Sequence, residues 1–178
     1  MRAALALTLS VVAVAAAPVE LHVVDVVGER VDVAPDAAAP TVLIFMSRRA
    51  KEASSAFART VDERLLDRPI EEVGIVDVRP YGGILRRLAT SLMRSSVTEA
   101  RAHRRERREA RGVDASPAAV DRWHLVGDFD GALFRRFGVE AEPAQPVAFV
   151  IDRAGALHGP FRDVDAVVAA VEGRRPSQ

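Results

Sequence analysis

The chain has 178 residues, of which 49% are apolar, enough for one domain with a real core and too apolar for a wholly disordered one. Acidic and basic residues balance at 25 each, and cysteine is absent. Without a thiol there is no disulfide exchange, thiol peroxidase chemistry, structural disulfide or thiolate metal site.

In chain order, Met1-Arg2 and the apolar or small run from Ala3 to Ala17 have the layout of a secretory signal. At about 15 residues the run falls short of the roughly 20 that a spanning helix needs. Residues 1–17 are therefore predicted to be a signal peptide, with an uncleaved anchor as the alternative, and 18–175 an exported, periplasmic domain. Val19 to Val33 alternates apolar and polar residues around Gly28-Glu29, which predicts a hairpin. Thr41 to Met46 is an unbroken apolar run, as expected of a strand buried on both faces. Ser47 then stands where an N-cap would, and Ala53, Phe57, Val61 and Leu65 at every fourth position predict a helix that Pro69 ends. A second buried strand is expected over Val73–Val78.

Residues 82–117 read as a helical insertion: an amphipathic start with Ile84, Leu85, Leu88, Leu92 and Met93, then a strongly polar stretch from Glu99 to Arg111. A third strand at Trp123–Val126, a turn at Asp128-Phe129-Asp130-Gly131, and a short helix over Ala132–Phe137 closed by Gly138 follow. Val147–Ile151 is the fourth buried strand, Asp152-Arg153-Ala154-Gly155 turns the chain back, and Asp163 caps a final helix. Strands alternating with helices predict an α/β fold, a central mixed sheet with helices on both faces.

Four stretches together resemble the thioredoxin-like superfamily, in its peroxiredoxin or thiol-specific antioxidant branch. They are the N-terminal hairpin, the strand Val42–Met46 running straight into a helix, Leu125-Val126-Gly127-Asp128-Phe129-Asp130-Gly131 with Phe137-Gly138-Val139, and Pro146 before Val147–Ile151. The resemblance implies a redox cysteine at the strand-to-helix junction and a cis proline at Pro146 facing it. This chain has Met46-Ser47-Arg48-Arg49-Ala50-Lys51-Glu52 at the junction. A serine hydroxyl does not ionise as a thiol does and cannot cycle through sulfenic acid. The expectation is a cysteine-less, non-catalytic member that binds a partner or supports the envelope, with a non-thiol enzyme at Ser47 as an alternative.

Two surfaces are candidates for that role. At the junction, Ser47, Arg48 and Arg49 beside Gln145 and Pro146 could meet an anion or an extended acidic peptide, or simply form an exposed first turn. In the insertion, Arg79 to Gly112 holds ten Arg against three Glu, net +7 in a chain of zero net charge. Arg101, Arg104, Arg105, Arg107, Arg108 and Arg111 either dock on the protein's own acidic body or contact an acidic protein or anionic lipid. Nucleic acid is not expected, since Tyr81 is the one aromatic ring nearby. The four histidines lie too far apart in sequence for a local metal motif, and no phosphate-binding loop or nucleophile elbow is present, so no cofactor is expected.

Overall fold

The structure is a computed structural model that describes residues 17–174, so the predicted signal segment falls almost wholly outside it. Strands β1 (Leu21–Val24) and β2 (Arg30–Val33) form the expected hairpin, Leu21 opposite Val33 and Val23 opposite Val31. The main sheet has five strands in the order β5-β4-β3-β6-β7: β3 (Thr41–Met46), β4 (Glu71–Asp77), β5 (Trp123–Asp128), β6 (Val147–Ile151) and β7 (Leu157–Phe161). β3, β4 and β5 run parallel, while β6 and β7 run antiparallel to their neighbours. Parallel neighbours need crossovers, and α1 (Lys51–Leu65) and α2 (Gly83–Ala110) supply them, the latter followed by a single turn α3 (Pro117–Val120). α4 (Ala132–Arg136) and α5 (Val164–Val171) complete the order.

The apolar run of β3 is explained by burial on both sides. Leu43 and Phe45 face one core with Val73, Ile75, Val126, Phe134, Val147, Phe149 and the β1–β2 hairpin. Val42 and Ile44 face the other, with α1 and α5. Each such side chain contributes about 1.5–3 kcal/mol of transfer free energy. Phe45 also meets Phe134 edge-on at 5.0 Å and Phe149 at 5.8 Å, an aromatic cluster near the end of β3 that leads to the junction.

Three departures from the sequence expectations concern the elements themselves. Ser47 is not the N-cap of α1: Ala50 holds that position, and the helix starts at Lys51. β4 starts two residues earlier than expected, because Glu71 and Glu72 enter the ladder opposite Thr41 and Val42. The apolar start of α2 does not face the core. Ile84, Leu85, Leu88 and Leu92 stay 54–86% exposed, and the inward stripe is Met93, Val97, Arg104 and Arg108. The reason is the partner surface: Met93 and Val97 pack on Val26 and Leu125, and beyond them the helix meets acidic groups rather than apolar ones.

Candidate functional site

Parallel strands β3, β4 and β5 all end at one edge of the sheet, and the junction sits there. Phe45 pairs with Val147, so Met46 and Pro146 are the next positions on adjacent strand ends. Gly74 makes room beneath them: a Cβ there would lie 2.9 Å from Met46 Cε and 2.8 Å from Leu125 Cδ1. Ser47 is buried, its hydroxyl donating to the Pro143 carbonyl at 2.7 Å and accepting from the Ala50 N–H at 3.2 Å. Both bonds are structural. They pin the loop before β6 to the start of α1, and no His, Asp or Glu is bonded to the hydroxyl. Ser47 therefore latches that loop to the helix.

Around that latch, Arg48, Arg49 and Gln145 are exposed and Pro146 is buried. The Gln145–Pro146 bond is trans, against the cis geometry implied by the resemblance; among the described residues the cis bond is Gly159–Pro160. The loop enters β6 pinned by Ser47 through Pro143, which sets its path three residues before Pro146. At the neighbouring strand end, Arg79 clasps Asp77 through two bonds of 2.9 and 2.7 Å and lies over the Phe134 ring. Burial would raise the Asp77 carboxyl, but the Arg79 bonds hold it below the ordinary range.

Of the two alternatives for the basic residues of α2, the structure shows the first: they dock on the protein's own body. Arg101 binds Glu29 at 2.6 Å and reaches Asp25 and Asp121. Arg104 is 1% exposed and lies 3.2 Å from Asp62 and 3.8 Å from Glu72. Arg107 pairs with Asp62, Arg108 donates to the carbonyls of Leu66 and Asp114, and Arg111 donates to the carbonyl of Glu63. Among the described residues Arg105 alone of the six has no such bond and is exposed. The physical reason is charge balance: the body opposite α2 carries buried carboxylates that need cations.

Two ionic clusters result, both at the sheet edge away from the junction. In one, Glu72 is fully buried between Asp62, Arg104 and Arg107, with neither oxygen hydrogen-bonded to a protein group. Desolvation, reinforced by the Asp62 charge, pushes its carboxyl up to about 8, against the pull of the two arginines. In the other, the buried His124 ring lies between Asp25 at 3.3 Å and Glu71 at 3.5 Å, with Glu29 at 3.8 Å. Burial pulls the imidazole down, but its bonds to Glu71 and Asp25 more than offset this and raise it. His124, Asp25 and Glu29 have the donor types of a cation site, yet the Arg101 guanidinium already supplies the positive charge there. This cluster ties the β1–β2 turn to the edge strand β5, where the Val26 N–H also donates to Leu125.

That tie has a pH signature. His124 is raised in the folded state, so its contribution is fully present below its ordinary 6.5 and fades as pH rises through the folded value. His124→Gln is expected to cost about 1–3 kcal/mol at roughly pH 6 and distinctly less at about pH 9. Urea midpoints at the two pH values check this; equal losses would assign His124 a packing role only.

None of these carboxylates or His124 was legible as a site in the sequence, because Asp25 and His124 are 99 residues apart. A signal for the buried arginines did exist: Arg104 and Arg108 continue the spacing of Met93 and Val97 along one helix face.

No protein-family profile and no curated protein matches the chain. Solved structures do. The exposed lipoprotein thioredoxin of Streptococcus pneumoniae superposes with a TM-score of 0.54 at 16% identity, over 87% of this chain and 99% of that one. DsbF of Mycobacterium tuberculosis gives 0.52 at 16% identity over 86% and 93%, and a DsbF homologue of Corynebacterium diphtheriae 0.52 at 14% over 88% and 85%. With the strand order, the strand-to-helix junction and the facing proline in place, the chain has a thioredoxin-like fold, and it holds no sulfur nucleophile.

Proposed function

We propose that this protein is an exported, non-redox binding module that uses the junction end of a thioredoxin-like fold to hold a partner segment. The observation carrying this reading is Ser47: it stands at the junction where the resemblance puts a redox sulfur, and its hydroxyl donates to and accepts from the protein's own backbone. A hydroxyl bonded in this way, with no basic side chain bonded to it, serves the fold rather than redox chemistry. What the junction offers a ligand is Arg48 and Arg49, exposed, beside the exposed Gln145 that leads into β6. That pairing suits an acidic peptide, with guanidinium groups for its carboxylates and the Gln145 amide for its backbone. Export rests on the apolar N-terminal stretch and agrees with the exposed lipoprotein among the similar structures. No helix of the described residues is long and apolar enough to cross a membrane.

The test is titration of the protein with a Glu-rich extended peptide, followed by backbone amide NMR shifts. Saturable shifts at residues 47–51 and 144–147 are expected. Arg48→Glu with Arg49→Glu should weaken binding about tenfold or more, as loss of two charge-assisted contacts implies. Shifts that are absent, or that survive charge reversal, would end the reading.

A further inference from the structure

α2 is 28 residues long, and its first half does something the rest does not. Among residues 83–98 the large side chains Ile84, Leu85, Leu88 and Leu92 are exposed by 86, 58, 54 and 60%. Successive helical residues turn by about 100°, so these four fall within one arc of roughly 100°. That arc faces away from the body, because Met93 and Val97, the buried residues of this half, lie on the other side. The same line continues as Glu99, His103 and Glu106, so the apolar stripe stops after Leu92. Residues 83–98 contain three arginines, Arg86, Arg87 and Arg94, and no acidic residue, and all three arginines are exposed. They are not consumed by carboxylates as Arg101, Arg104 and Arg107 are: Arg86 lies over the Phe129 ring and Arg94 donates to the Val26 carbonyl.

Charge decides what covers this face. A second copy would bring one half-helix with three arginines and no acidic residue against another of the same charge. An anionic phospholipid surface meets the same arrangement with apolar chains under the stripe and phosphates for Arg87 and Arg94, which flank it on one side and whose long stems reach the headgroups. We infer that the N-terminal half of α2 is an interfacial helix that docks the protein on an anionic membrane surface through Ile84, Leu85, Leu88 and Leu92. This contact is separate from the Arg101–Arg111 face, which is turned inward, and does not depend on the peptide-binding reading.

The absence of cysteine makes the test clean. A single thiol introduced as Leu88→Cys, or at the far end of the helix as Glu109→Cys, takes an environment-sensitive dye at one known place. Both proteins are mixed with vesicles of phosphatidylcholine alone or with added phosphatidylglycerol. The dye at 88 is expected to shift to the blue with anionic vesicles at low salt, to return as salt rises, and to respond little to neutral vesicles. The dye at 109 is expected to stay in water. Adding Leu85→Glu and Leu92→Glu to the Leu88→Cys protein should weaken the vesicle response about tenfold or more, since two aliphatic side chains leave the bilayer. Because the dye reports its own surroundings, tethering through residues 1–17 does not mimic the result. A shift that is absent, equal at both positions or equal with both lipids overturns the inference. So does a shift that grows with protein concentration without vesicles, which would assign the stripe to a second copy.

Discussion

Arg104→Ala is expected to destabilise the fold by about 3 kcal/mol, with the pH held near neutrality. The Arg104 side chain is the largest fully buried one in the molecule, and it neutralises Asp62 beneath α2. Truncation leaves a cavity and a buried carboxylate short of one cation. Arg107 approaches Asp62 from the solvent side and is one-third exposed, so part of the charge remains balanced. That places the loss at the lower end of the range of about 3–5 kcal/mol for a broken buried ion pair. Arg104→Met combined with Asp62→Leu removes both charges and refills the space. It is expected to recover most of the stability, because desolvating the pair had offset much of its Coulomb attraction. Urea unfolding of wild type, single and double variants reads the difference; a double variant as weak as Arg104→Ala would show that the ion pair itself contributes net stability.

Glu72→Gln is expected to change how stability depends on pH by a few kcal/mol. In the folded protein this carboxyl is pushed up from its ordinary 4.5 to about 8, chiefly by desolvation. Below the ordinary value both folded and unfolded chains hold the proton, and Glu72 adds no pH dependence. Between 4.5 and about 8 the folded chain keeps the proton while the unfolded one releases it, so wild-type stability falls as pH rises across that window. Glutamine keeps the shape and cannot ionise. The variant should match wild type near the acid end of the window and exceed it at the alkaline end. Parallel stability curves for the two proteins would mean that Glu72 is ionised in the fold throughout.

These two residues show why some of the molecule was readable in the sequence and some was not. β3, β6 and the β1–β2 hairpin follow from local patterning: unbroken apolar runs where both faces are covered, alternation where one face is wet. Their order, with the strand-to-helix junction and a proline before β6, was enough to expect a thioredoxin-like fold. Glu72 belongs to a strand yet has no apolar character, and its burial depends on Asp62 and Arg104 arriving from two other elements. The leucines at the start of α2 had the converse problem. Their spacing announced an amphipathic helix correctly, but periodicity cannot say whether an apolar face meets a core or is left open.

By itself the sequence determined that this chain folds around a buried β3 and that it has no thiol chemistry of its own, since both depend on residue identity and near-neighbour order. Only the tertiary structure decided that Ser47 is a latch, that five of the six arginines from 101 to 111 are consumed internally, and that Ile84 to Leu92 face outward. The physical reason is that a side chain's role is set by what stands across from it, and the partners that decide Ser47, Arg101 and His124 come from 96, 20 and 99 residues away.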